Sequence, residues 1–271
     1  MKEISEVEEG PSNVMGQAPE TPFPGNVLVL NTHGSYEVPP HLKQFLSPVM
    51  KQQDRLLKNG SDYGVTHILR GIPENQLVSA RYSRFLGDPN RATNADDCFR
   101  RTDFNHNPVW SEPFDSWLEK PFWQKRLLKM SYEPYFEEIF ERLEVLMSQT
   151  EDETIYVLDH HDTGHRMLGS KPRYDFDRMR VPKKKAEIDR FEMPAMIISD
   201  QNHQTADSTV VQKLRDNYAQ TFESMGLALD EDITVNRHFK GGFITRLFGG
   251  LEKDSPYHKR LKNLEERYGK K

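Results

Sequence analysis

Asn26-Val-Leu-Val-Leu-Asn-Thr-His33-Gly-Ser-Tyr-Glu-Val-Pro39 decides how this chain is read. Four consecutive valines and leucines suit a strand buried on both faces, as in a parallel sheet covered by helices. The run stops at a histidine followed by glycine, so the strand's C-terminal tip carries an imidazole. Such tips are where open α/β sheets place their ligands. A second run, Glu153-Thr-Ile-Tyr-Val-Leu-Asp159-His-His161-Asp-Thr-Gly164, ends in the same way. Two matching tips predict one shared site, and paired imidazoles there point to a metal.

The flanking sequence alternates strand and helix signals. Pro39-Pro40 precedes a predicted helix over His41–Leu57. Leu77–Phe85 reads as a strand, closed by the turn residues Asp88-Pro-Asn-Arg91. Residues 92–122 lack a clear period and predict a long surface loop. In Pro134–Met147 the residues Phe136, Ile139, Phe140, Leu143 and Leu146 share one helical face. Pro134 sits where a first helical turn tolerates it. Arg166–Arg190 is basic and predicts a solvated loop or flap. Met193–Ile198 and Ile233–Val235 are further strands, and Asp207 caps the helix that follows the first of them. Ser255–Lys271 predicts a charged helix with a solvated surface. The alternation implies a single-domain α/β fold: a mixed, mostly parallel sheet with helices on both faces. Residues 1–24 are polar, acidic and dotted with prolines, which predicts a flexible N-terminal arm ahead of a domain over 25–271.

Composition narrows the function class. A net charge of −5 argues against a nucleic-acid binder. Apolar runs are far shorter than the ~20 residues of a spanning helix, so no membrane partner is expected. One cysteine, Cys98, forms no disulfide framework within the chain. A cytoplasmic protein, monomeric or a small homo-oligomer, is the expectation, acting on a small molecule.

Zinc accepts imidazole nitrogens and carboxylate oxygens, with three protein ligands and an open position in catalytic sites. His33 and His161 supply two ligands; Asp54, Asp62 and Glu37 are all candidates for the third. Ser83-Arg84-Phe-Leu-Gly-Asp88-Pro-Asn90-Arg91 holds arginines whose paired donors match planar carboxylates. Asn236-Arg-His-Phe-Lys-Gly241-Gly242-Phe-Ile-Thr-Arg246 places a glycine pair where backbone can approach a ligand closely. Asp159 or Asp162 can orient a ligating ring. His160 reads as a packed neighbour, His203 and His238 as loop residues near a pocket mouth, and Lys183–Lys185 as a solvated run. Trp110, Trp117 and Trp123 read as packing residues, and Cys98 lacks a neighbouring base that would make it a nucleophile.

Six segments in order, spread over residues 26–250, resemble the N-formylglutamate amidohydrolase family, which is related in fold to the zinc carboxypeptidases. They are His33-Gly-Ser-Tyr-Glu-Val-Pro39, Ser61-Asp62-Tyr-Gly64, Ser83 to Arg91, Pro134-Tyr135-Phe136, Asp159-His-His161-Asp162 and Asn236 to Arg246. The resemblance implies a zinc-carboxypeptidase-like hydrolase fold and one zinc ion held by His33, Asp62 and His161. It implies that Arg84 faces the developing oxyanion and that Asn90 and Arg91 hold the carboxylate of an acidic substrate. It also implies that Asn236, Gly241 and Gly242 line the pocket. The implied reaction is hydrolysis of the amide of an N-acyl amino acid such as N-formylglutamate. The chain departs from the family pattern in its Gly-Ser order after His33, in Pro89 and in Asp162. The family's glutamate, expected beyond Ile-Thr-Arg, has no matching context here, which leaves Glu252 and Glu265 as candidate bases. A relative that binds without hydrolysing, or a carboxypeptidase-like hydrolase with another substrate, are the alternatives.

Overall fold

The computed structural model describes residues 23–52, 54–103, 106–161, 166–170, 188–192, 196–224, 233–236 and 241–270. Most of the expected N-terminal arm, Asp162, Lys183–Lys185 and His238 lie outside them. In chain order the elements are β1 (Val27–Asn31), α1 (Pro40–Lys43), α2 (Pro48–Gln52), α3 (Asp54–Asn59), α4 (Tyr63–Ile68), β2 (Leu77–Ser79), α5 (Phe114–Trp117), α6 (Pro121–Leu127) and α7 (Glu133–Gln149). There follow β3 (Tyr156–Asp159), β4 (Arg166–Ser170), β5 (Ile188–Glu192), β6 (Met196–Ile198), α8 (Ser208–Ser224), β7 (Ile233–Val235), α9 (Phe243–Phe248) and α10 (Pro256–Tyr268).

β1 is the middle of a parallel three-stranded sheet of order β2-β1-β3. Leu28, Val29 and Leu30 are all buried, as a strand covered on both faces requires. β6 and β7 form a second parallel pair. β4 and β5 pair antiparallel, so the flanks of the basic segment expected as a loop or flap are strands. The expected mostly parallel α/β architecture is what the chain adopts.

Three element boundaries differ from expectation, each for a local reason. The helix expected over His41–Leu57 is three short helices. Pro48 lacks the N–H a continuous helix would need there and opens a new one instead. The strand expected over Leu77–Phe85 ends at Ser79. Ser83 then caps a 3-10 turn over Arg84–Leu86, its hydroxyl accepting from the Phe85 N–H. The helix expected from Pro134 is the continuation of α6 through a π turn at Leu128–Tyr132. Pro134 cannot donate to a carbonyl in the preceding turn, and the wider turn accommodates that gap.

α7 carries the apolar face expected of it: Phe136, Ile139 and Phe140 are fully buried in the main core. α10 packs against this helix rather than lying free. It buries Leu261 and Leu264, and Arg260 donates to Glu137 at 2.6 Å. The surface expected to be solvated is thus only the outer half of α10. Trp117 and Trp123 stack in parallel at 4.8 Å beside Phe114. Val109, Trp110, Phe114 and Leu118 are buried in the main core, so the stretch over 92–122 expected as a surface loop is in part core and carries α5.

A candidate metal centre at the sheet's carboxyl edge

β1 and β3 run side by side with Leu30 opposite Asp159. His33 and His161 lie two or three residues past this pair, so both leave the sheet at the same level. Their ring centroids are 4.8 Å apart, about the spacing of adjacent strands. Asp62 joins them from the turn before α4, where its backbone N–H donates to the His33 carbonyl at 2.9 Å. The ligand atoms of His33, Asp62 and His161 all lie within 4.8 Å of one another.

The ring orientations show which nitrogens are available. Nδ1 of His33 and Nδ1 of His161 both face Asp62 Oδ2, at 3.3 and 2.6 Å. Each Nε2 is braced from behind by its own aspartate. His33 Nε2 lies 2.7 Å from Asp88 Oδ1, and His161 Nε2 lies 2.8 Å from Asp159 Oδ2. Carboxylates placed so fix a ligating imidazole and raise its basicity. Ligand atoms about 2.0–2.2 Å from a tetrahedral zinc stand roughly 3.3 Å from each other. The donor set and its outer braces fit a divalent ion bound through Nδ1, Nδ1 and Oδ2. The His33–Asp62 spacing is already of that size, while His161 Nδ1 sits closer, in a hydrogen bond to Asp62 Oδ2 that an ion would replace. His33 and Asp62 are buried, whereas His161 is about a third exposed, so the centre opens to solvent on the His161 side.

The electrostatics follow from this crowding. Burial alone would raise the Asp62 carboxyl, but the His33 and His161 rings beside it hold it far below the usual range. Burial would likewise raise Asp88; Arg84 and His33 outweigh it and keep the carboxylate charged. For His161 burial acts downward, and the adjoining Asp159 and Asp62 carboxylates push the ring up to about 10. Asp88 is fully buried and accepts from Arg84 Nε at 3.0 Å and from Arg100 Nε at 3.3 Å. A buried carboxylate so surrounded is held rigidly, because losing one partner strands a charge at a cost of about 3–5 kcal/mol.

The remaining expected site residues fall into two groups. Arg84 lies at the centre, with Nη1 3.9 Å from Asp62 Oδ1. Asn90 is there too: its Nδ2 is 3.3 Å from His161 Nε2, and its Oδ1 accepts from the Ile244 N–H at 3.1 Å. Gly242 packs on that amide so closely that a Cβ would sit 2.1 Å from Asn90 Oδ1, which is why glycine stands there. Arg91 follows Asn90, with Nε donating to Asp97 Oδ2 at 2.6 Å.

Asn236 is engaged elsewhere, its Oδ1 accepting from the Asp200 N–H at 2.9 Å. The Gly241 carbonyl accepts from Gln201 Nε2 at 2.8 Å. Glu252 accepts from Arg246 Nε at 2.5 Å, and Glu265 pairs with Lys262 on the same helix. Of the other carboxylates considered as the third ligand, Glu37 is exposed, and the Asp54 side chain lies outside the description. His160 extends the ladder, its N–H donating to the Leu30 carbonyl at 3.0 Å, and burial lowers its pKa. His203 Nδ1 lies 3.1 Å from Asp200. Burial pushes the Cys98 thiol up to about 12, which suits an inert core residue.

The bracing role of Asp88 and the part of Arg100 carry no expectation from the sequence, and Tyr135 stands there only within the Pro134-Tyr135-Phe136 segment, with no role of its own. Tyr135 OH lies 2.9 Å from Thr32 Oγ1, which in turn donates to Asp159. Asp88 did carry a signal: it stands four residues after Arg84 and two before Asn90, whose N–H donates to its Oδ1 at 2.9 Å.

The profile of a family described as N-formylglutamate amidohydrolase matches residues 25–257. The crystal structure of gene product Atu2144 from Agrobacterium tumefaciens superposes with a TM-score of 0.51 at 14 % sequence identity. The match covers 90 % of this chain and 88 % of that one, a likeness of fold. A search of curated proteins gives no match.

Proposed function

Because the chain belongs to the N-formylglutamate amidohydrolase family, we propose that it hydrolyses the amide of a small acidic N-acyl amino acid, N-formylglutamate being the simplest case. One zinc ion would be held by His33, Asp62 and His161. The observation that carries this reading is the convergence of two Nδ1 atoms on Asp62 while two aspartates brace the opposite ring nitrogens. Zinc bound there supplies a water of lowered pKa and polarises the scissile carbonyl.

The chain's own residues do the rest. Asp88 and Asp159 keep both imidazoles in register. Arg84, buried and fixed on Asp88, directs positive charge to where the carbonyl oxygen becomes anionic. Asn90 and Arg91 hold the substrate's carboxylate, and the Gly241-Gly242 backbone lines the pocket beside Asn90. Turnover needs a base that takes a proton from the attacking water and passes it to the leaving nitrogen. To serve, Glu252 would have to leave Arg246, or Glu265 to leave Lys262.

A second reading has one specific observation in its favour. Both candidate glutamates are occupied by cations, Arg246 and Lys262. A chain without a free base would bind metal and acidic ligand without turnover.

One experiment separates the two. Metal content is measured together with turnover of a panel of N-formyl and N-acetyl amino acids, for the wild type and for His161→Ala. Hydrolysis that a chelator abolishes, lost with the metal in His161→Ala, supports the hydrolase. Stoichiometric metal with no turnover of any member supports the binding protein. Full activity with stoichiometric metal in His161→Ala removes both.

A further inference from the structure

Arg91 and Asp97 belong to one loop that closes on itself. The Asp88 N–H donates to the Cys98 carbonyl at 2.8 Å, and the Arg91 N–H donates to the Asp88 carbonyl at 3.0 Å. Cys98 is buried and Tyr132 OH donates to the Arg91 carbonyl at 2.8 Å, so both ends of the loop are pinned to the core. Between them the Arg91 guanidinium already carries a carboxylate, Asp97 Oδ2, at 2.6 Å from Nε. Its Nη1 donates to the Asn90 carbonyl at 2.8 Å. The two partners differ in exposure: the Arg91 side chain is 22 % exposed and that of Asp97 49 %. Asp97 lies in no helix or strand. It can rotate into water without disturbing the backbone, and a half-exposed ion pair holds it only weakly.

We propose that Asp97 is an internal competitor for the substrate's carboxylate. It occupies the Arg91 guanidinium in the free protein and yields it when an acidic ligand enters beside Asn90, so that it sets the affinity for acidic substrates. The inference rests on the reading of Arg91 as the carboxylate partner. Its physical basis is an exchange of like for like. A ligand carboxylate replaces the Asp97 carboxylate on a planar donor fork, and the released aspartate is rehydrated at the rim. Asp97 therefore costs affinity for carboxylates and leaves neutral ligands unaffected.

Calorimetric binding of glutarate and of its neutral diamide to the full-length chain tests this without requiring turnover. The wild type is compared with Asp97→Asn, Asp97→Ala and Arg91→Ala, each checked for an unchanged circular dichroism spectrum. The expected result is that both Asp97 variants bind glutarate about two- to fivefold tighter, the span a weak ion pair accounts for. Arg91→Ala binds it more weakly, and the diamide is indifferent to all three changes. Weaker or unchanged glutarate binding in the Asp97 variants, with Arg91→Ala still impaired, overturns the competitor and makes Asp97 a support for the arginine. Undiminished glutarate binding in Arg91→Ala overturns the role of the arginine itself, whatever the metal and turnover assays show.

Discussion

At the scale of single residues, the candidate centre is defined less by His33, Asp62 and His161 than by what stands behind them. The His161 ring is held from both sides, with Asp62 on one nitrogen and Asp159 on the other. Asp159→Asn keeps the volume and removes the charge that orients the ring. Its expected effect is a loss of about 10–100-fold in zinc affinity, measured by competition with a chromophoric chelator. The same contacts set a pH dependence in the metal-free protein. The ordinary histidine value is 6.5, and the folded chain raises His161 to about 10. A raised pKa means that the charged ring contributes stability fully below pH 6.5, and that this contribution is lost as pH climbs towards 10. Metal-free wild type should therefore lose melting temperature across that window more steeply than metal-free His161→Asn. A zinc ion bound through that nitrogen would compete with the same proton, so its affinity would rise over the same range. Superimposable pH profiles for the two proteins would contradict the raised pKa. These histidines were legible in the sequence because each ends an apolar run. The braces were less so: only Asp159 or Asp162 was foreseen in that role. A buried carboxylate takes its partners from turn geometry, and Asp88 showed only its own turn chemistry.

At the scale of elements, legibility followed periodicity. α7 was readable because Phe136, Ile139, Phe140 and Leu143 repeat at helical spacing, and all are buried. The short elements around the site were not, since a four- to six-residue helix has too few turns to show a period. Proline and serine decided those boundaries instead, at Pro48 and Ser83. α7 is also the element that joins the sheet to the C-terminal helix. Phe136 is fully buried and its ring stacks on Tyr257 of α10 at 4.2 Å. Phe136→Ala removes a large core side chain at that junction. The expected cost is about 3–5 kcal/mol, read as a lower denaturant midpoint with an unchanged slope. A loss below about 1 kcal/mol would mean that α10 does not need this face to dock.

At the scale of the whole molecule, the centre is where separate stretches of chain are drawn together. His33 follows β1, Asp62 precedes α4 and His161 follows β3, so the three candidate ligands come from three connections. Parallel pairing accounts for two of them: strands in register deliver their tips to one level, which made the pairing of His33 with His161 readable from two distant runs. The third could not be chosen among nearby carboxylates by residue type alone. The Asp62 N–H on the His33 carbonyl makes the choice, and a hydrogen bond between loops leaves no mark in sequence. A cation bound by all three would act as a cross-link on the native state alone, so its binding energy adds to folding stability. At a free zinc concentration about a hundredfold above Kd the gain is about 2.7 kcal/mol. For a domain of this size that corresponds to a rise of about 5–10 °C in melting temperature. The rise should grow with the logarithm of zinc concentration, reverse on adding a chelator, and vanish in Asp62→Asn and in His33→Ala. If zinc raised the melting temperature of those variants as much as that of the wild type, the ion would be binding elsewhere. The ligand set drawn from the sheet's edge would then be wrong, even with the fold intact.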